Sequence, residues 1–93
     1  MENISEYLNV RILTPQSILF NGQATSLSSV NSVGPFDILA EHANFITLTE
    51  NSDIIIRTTN GEEVKFNFPL AIIYTIHNNI TIYTSIQLPQ LES

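Results

Sequence analysis

Apolar and polar side chains alternate along most of this chain in short runs, which Pro, Gly and Asn interrupt. Ile, Val, Thr, Tyr and Phe supply most of the run positions. Period-two alternation of β-branched and aromatic residues is the signature of half-buried strands. No stretch sustains the 3.6-residue period of an amphipathic helix, and no low-complexity tract or internal repeat stands out. Candidate strands are Tyr7–Leu13, Ser17–Phe20, Ala24–Val30, Phe36–Leu39, Phe45–Glu50, Asp53–Thr59, Glu62–Phe68, Leu70–Ile76 and Ile80–Ser85. The pattern predicts an all-β chain: a single β-sandwich of about ten short strands, with no C-terminal helical domain. Residues 1–86 form the sandwich domain and 87–93 a short tail.

Two hairpins can be given a register. Asn60-Gly61 is a turn signal. A three-residue loop, Thr59-Asn60-Gly61, pairs Thr58 with Glu62, Ile56 with Val64 and Ile54 with Phe66, and sets Arg57 opposite Glu63. That register gathers the apolar side chains on one face, whereas a one-residue slip would scatter them. Gly61 then takes the left-handed bulge position. The same reasoning at His77-Asn78-Asn79 pairs Ile76 with Ile80, Tyr74 with Ile82 and Ile72 with Thr84, with Asn79 at positive φ.

At 93 residues the chain is one domain, and a domain of this size buries only about 60–65% of its unfolded surface. There is no cysteine, hence no thiol nucleophile, thiolate metal site or disulfide; a permanent partner is the remaining source of added stability. The net charge is −6, and Arg11, Arg57 and Lys65 are the three cations. Such a chain is a poor partner for phosphate backbones or anionic lipid, so neither nucleic acid nor direct membrane insertion is expected. Apolar runs such as Leu70–Tyr74 are too short to span a bilayer, and the acidic start Met1-Glu-Asn-Ile-Ser-Glu6 does not read as a signal peptide.

Residues that could carry chemistry are few. His42 and His77 do not form a His-x-His or His-x₃-His pair, and a metal needs three or four convergent ligands. Glu62-Glu63 follow a turn, where charged residues face water, and Asp37 and Glu41 flank a strand with nothing to enclose them. The serines 26, 28, 29 and 32 lie outside any nucleophile elbow. Gly22, Gly34 and Gly61 are too dispersed to cradle a phosphate. The reading is therefore no enzyme: no catalytic residue, cofactor or metal. Ala24–Gly34, polar but uncharged, reads equally as a solvated edge strand or as a contact surface that docks with little desolvation cost.

Two blocks go further. Gly34-Pro-Phe-Asp-Ile-Leu-Ala-Glu-His-Ala-Asn-Phe45 and Leu13-Thr-Pro-Gln-Ser-Ile-Leu-Phe-Asn-Gly22 resemble, in order and spacing, the N-terminal β-sandwich domain of the ε subunit of F-type ATP synthases, called δ in mitochondria. Val10-Arg-Ile-Leu-Thr-Pro15 and Asn78-Asn-Ile-Thr-Ile82 extend the likeness from about Leu8 to Thr84. The chain departs from the family's pattern where Asp37 replaces Gly, Ala40 and Asn44 replace prolines, Asn51-Ser52 replaces a frequent Gly and Leu70-Ala71 replaces Gly-Gly. The helical hairpin that follows the sandwich in many ε subunits has no counterpart in Ile86–Ser93. The resemblance implies a non-catalytic rotor subunit of the central stalk in a proton- or sodium-translocating enzyme, coupling the gamma subunit to the c-ring without binding ATP. It implies a peripheral place on the cytoplasmic face of a bacterial inner membrane, or on the stromal face of a thylakoid. Contact residues carried over by position are Thr14, Gly34, Pro35, Phe36, His42, Ala43 and Asn44, and the neutral Asn31–Pro35 loop adds Ser32. The alternative from a different class is a free-standing β-sandwich that binds protein or carbohydrate; the absence of Trp speaks against it.

Overall fold

The computed structural model describes residues 7–85. They form eight strands: β1 Leu8–Leu13, β2 Ile18–Asn31, β3 Gly34–Leu39, β4 Phe45–Thr49, β5 Ser52–Thr58, β6 Glu63–Phe68, β7 Ala71–Ile76 and β8 Asn79–Thr84. Eight is fewer than the expected ten or so, and one fewer than the nine candidate segments because Ser17–Phe20 and Ala24–Val30 merge into one 14-residue strand, β2. Asn21-Gly22 does not turn the chain. Gly22 pairs with Val10, and a Cβ there would lie 3.3 Å from the ring of Phe20; glycine within a strand admits such a close approach.

The strands hydrogen-bond in the order β4-β7-β8-β1-β2-β5-β6, with β3 also on β2. The long β2 is shared. Its first half pairs with β1 up to Ala24, and its second half pairs with β5 and β3. Between Ala24 and Ser26 the ladder to β5 shifts register. This bulge at Thr25 reverses the inward parity: Ala24 is buried before it, Leu27 and Ser29 after it. An extra residue bends a strand and increases its twist, so one continuous sheet folds over into two layers.

Layer one is β4-β7-β8-β1 with the start of β2, and layer two is β3, the end of β2, β5 and β6. Leu8, Val10, Ile12, Ile73, Ile80 and Ile82 from the first meet Leu27, Ile38, Ile54, Ile56 and Phe68 from the second in one core. At one end the ring of Phe20 meets Phe66 edge-on at 6.0 Å, and Phe66 stacks on Phe68 at 5.8 Å.

The β5–β6 hairpin has the register read from sequence. Ile54 pairs with Phe66, Ile56 with Val64 and Arg57 with Glu63; the Thr58 amide donates to the Glu62 carbonyl at 2.8 Å; and Gly61 has φ +91°.

The β7–β8 hairpin differs by one residue. Ile76 pairs with Asn79, Thr75 with Ile80 and Ile73 with Ile82. Its loop is the two residues His77 and Asn78, both left-handed at φ 49° and 66°, as a type I′ turn requires; Asn79 is not the positive-φ residue. The physical reason lies in Ala71-Ile-Ile-Tyr-Thr-Ile76, which is apolar on both faces, so alternation does not choose between registers. Turn geometry chooses instead. Ala71, Ile73 and Thr75 face the core, and Ile72 and Tyr74 face out. The choice carries a cost, since the buried Thr75 hydroxyl has no hydrogen-bond partner among the described residues.

Candidate functional site

The eight contact residues expected from the sequence fall into three groups. Thr14 lies in the β1–β2 turn, where its hydroxyl accepts from the amides of Gln16 and Ser17 at 3.2 and 3.0 Å. Ser32, Gly34 and Pro35 belong to the tip of the β2–β3 hairpin. Phe36 and His42 flank one ring: Phe36 meets Phe45 at 5.6 Å and His42 meets it at 5.3 Å. Ala43 and Asn44 continue from His42. Because β1 and β8 are parallel, with Asn9 beside Asn79 and Leu13 beside Tyr83, Thr14 sits at the opposite end of layer one from the His77–Asn78 turn and the His42 corner packed on it.

The hairpin tip is built by Asn31, whose side-chain carbonyl accepts from the amides of Val33 and Gly34 at 2.9 and 3.2 Å. Its amide group donates to Thr47 at 2.9 Å and ties the tip to β4. Gly34 has φ +142°, a conformation that favours glycine. Val33 is 93% exposed at the apex. The tip is thus an uncharged projection held in shape by one asparagine.

The corner Ala40–Asn44 is clasped to the β7–β8 turn. Glu41 is left-handed at φ 68°, a conformation that costs a non-glycine residue about 1–2 kcal/mol. Asn78 offsets it with two bonds: its side-chain carbonyl accepts from the Glu41 amide at 2.6 Å, and its amide donates to the Glu41 carboxylate at 3.2 Å. The His77 amide donates to the Asn44 side chain at 3.1 Å, and His42 Nδ1 donates to the Ala43 carbonyl at 2.7 Å. These contacts bring the two histidines, 35 positions apart in sequence, to the walls of one polar depression of about 330 Å³. No group of three or more metal-ligating side chains converges among the described residues.

One surface was hidden from the sequence reading. The outer side of layer one carries Ile46 and Leu48 on β4, Ile72 and Tyr74 on β7 and Tyr83 on β8, all exposed. They are neighbours across the ladders: Ile46 beside Tyr74, Leu48 beside Ile72, Ile72 beside Tyr83. A contiguous exposed apolar face marks an interaction surface. It went unseen because the three-residue loop register had turned Ile72 and Tyr74 inward. The signal that could have found it is the His77-Asn78 pair read as a two-residue turn.

Asn51 takes φ 51°, a conformation asparagine tolerates. Its amide donates to the carbonyls of Phe68 and Pro69 at 3.0 and 3.1 Å. Asp37 accepts a hydrogen bond from Ser28 at 2.5 Å across β2–β3.

Comparison with known proteins agrees with this architecture. The family described as ATP synthase, Delta/Epsilon chain, beta-sandwich domain matches residues 7–88. An ATP synthase epsilon chain from Clostridium botulinum is 33% identical over 75 residues, 81% of this chain and 56% of that protein. One from Sulfurimonas denitrificans is 44% identical over 43 residues, 46% of this chain and 33% of that protein. Among solved structures, a chain of the Euglena gracilis mitochondrial ATP synthase OSCP/F1/c-ring assembly superposes with TM-score 0.81 at 10% identity, covering 89% of this chain and 53% of that one. A chain of the Tetrahymena thermophila central stalk and c-ring superposes with TM-score 0.70 at 15% identity, covering 90% and 66%. The fold is therefore that of a small β-sandwich shared with these chains. The chain belongs to the ATP synthase delta/epsilon-chain β-sandwich family, and it spans about half the length of the Clostridium relative.

Proposed function

We propose that this chain is a non-catalytic central-stalk subunit of an F-type ATP synthase that couples the gamma subunit to the c-ring. The observation that carries the assignment of surfaces is the apolar outer face of layer one, Ile46, Leu48, Ile72, Tyr74 and Tyr83, on a member of a stalk-subunit family. In this reading the gamma subunit covers that face, since burying apolar area drives association. The uncharged hairpin tip at Ser32, Gly34 and Pro35 meets the polar loops of the c-ring. The corner at Phe36, His42, Ala43 and Asn44 borders the contact. The chain binds no ATP and sits peripherally on the membrane face that carries F1: cytoplasmic in a bacterium, stromal in a plastid.

The deciding experiment is affinity capture of the tagged chain from its source cells, with gamma and c expected among the retained proteins. His42→Asp with Ser32→Glu should weaken that capture while leaving the melting curve in place, because charge is added where water is to be lost. Capture without gamma or c would favour a free-standing protein- or carbohydrate-binding module. Calorimetric titration with Mg-ATP should give no saturable heat at micromolar concentrations.

A further inference from the structure

The dipeptide Asn-Gly occurs twice in the chain, at Asn21-Gly22 and at Asn60-Gly61, and the fold treats the two differently. Both asparagines are exposed among the described residues. Asn21-Gly22 lies inside β2, where Asn21 pairs with Arg11 and Gly22 with Val10. The Phe20 ring packs over Gly22, 3.3 Å from where a Cβ would sit. Asn60-Gly61 lies in the β5–β6 loop. Gly61 is left-handed at φ +91°, and among the described residues nothing comes within 4 Å of its Cβ position. The Gly61 amide donates to the Thr58 carbonyl at 3.1 Å, and the Thr58 hydroxyl donates to the side-chain carbonyl of Asn60.

We propose that Asn60 is a site of spontaneous deamidation through its own backbone, and that the fold protects Asn21 from the same reaction. The Gly61 amide nitrogen gives its proton to base and attacks Asn60 Cγ. A new N–C bond closes a cyclic imide, and the side-chain nitrogen takes up a proton and leaves as ammonia. Water then opens the ring at either carbonyl, which yields aspartate or its β-linked isomer; nothing is oxidised or reduced. The attack needs a following residue with no side chain beside the nucleophile, open space, and a backbone free to bend toward Cγ. The loop supplies all of these, and the Thr58 hydroxyl draws electron density from the carbon under attack. The Gly61–Thr58 bond must open first, and a hairpin tip opens at a far lower free energy than a strand inside a sheet. At Asn21 the ladder to β1 holds the chain extended, so the Gly22 nitrogen reaches Cγ only if β2, a strand that both layers share, comes open. The product at position 60 sets a carboxylate beside Glu62 and Glu63, in a chain already at −6. In its β-linked form it also lengthens the backbone within the loop that joins β5 to β6. This chemistry is independent of the rotor assignment.

The test incubates the full 93-residue chain in mildly alkaline buffer, folded or in urea, and follows it by trypsin digestion and mass spectrometry. Arg11, Arg57 and Lys65 are the trypsin sites, so Asn21 falls in peptide 12–57 and Asn60 in peptide 58–65. In the folded chain, peptide 58–65 is expected to gain the mass difference between a hydroxyl and an amino group, while fragment ions show Asn21 unchanged. In urea, both Asn-Gly pairs are expected to convert at similar rates. Fragmentation that separates aspartate from its β-linked isomer should find both at position 60. Asn60→Gln should leave peptide 58–65 unchanged in a chain whose melting curve stays in place. Conversion of Asn21 as fast as Asn60 in the folded chain overturns the proposal. So does a folded chain that converts neither while the chain in urea converts both. Aspartate alone at position 60 also overturns it, because direct hydrolysis and not ring closure would then be the route.

Discussion

The two layers of this sandwich share a core but present opposite outer faces. Layer two shows water a row of charges: Arg57 lies 3.4 Å from Glu63, and Lys65 3.9 Å from Asp53, with the four side chains about half exposed. Exposed pairs of this kind contribute at most about 1 kcal/mol each, so their main service is solubility and a face that resists docking. Layer one shows water Ile46, Leu48, Ile72, Tyr74 and Tyr83. Each face contains one hairpin, and the two hairpins are specified differently. On β5–β6 the core-facing side is apolar and the outer side charged, so burial alone sets the register. On β7–β8 both sides are apolar, so burial is indifferent and the His77-Asn78 turn decides. A strand that is apolar on both sides is weakly specified by the core because burying either side satisfies it.

That contrast can be broken first at Ile73. If it is the inward residue of β7, Ile73→Ala should cost about 2–4 kcal/mol through lost burial and a cavity, while Ile72→Ala stays within about 0.5 kcal/mol as a surface change. Paired melting curves measure both, and reversed magnitudes would restore the three-residue-loop register. Next is the clasp. Asn78→Ala removes both bonds to Glu41 and should cost about 1–3 kcal/mol. Asn78→Gly, which keeps the turn conformation but not the bonds, should recover part of the loss; a melting temperature for Asn78→Gly equal to that of the unsubstituted chain would mean the clasp contributes nothing. A smaller effect is expected at the charged face's turn. Gly61→Val forces a β-branched residue to φ > 0 and should cost about 1–2 kcal/mol, and an unchanged melting temperature would count against the bulge.

The fold was legible wherever alternation and turn chemistry agreed. Ile54, Ile56, Val64 and Phe66 announced the β5–β6 register, and Gly61 its bulge. Two features resisted. Asn21-Gly22 read as a break because glycine usually ends a strand, yet here it lies beside Phe20 in the middle of β2. Nothing local announces that a 14-residue strand will serve both layers; the Thr25 bulge becomes visible only once β5 is paired. The site was legible as scattered residues and not as a surface. His42 and Asn44 stood out, but their clasp to the His77–Asn78 turn depends on tertiary contact. The apolar face was misplaced by the one-residue error, because a one-residue change of register moves Ile72 and Tyr74 from the core side to the outer side.

Under the proposed function the outer side of layer one is a docking face and the outer side of layer two is not. The most direct measurement is capture of the gamma subunit by two folded double variants, with melting curves taken in parallel. Ile46→Glu with Tyr74→Glu places two charges on facing positions of β4 and β7; Lys65→Glu with Arg57→Glu alters the charged face to the same extent in residue number. The first variant is expected to keep its melting temperature within a few degrees and lose gamma, while the second retains gamma. Normal capture by the first variant, or loss by the second alone, would contradict it.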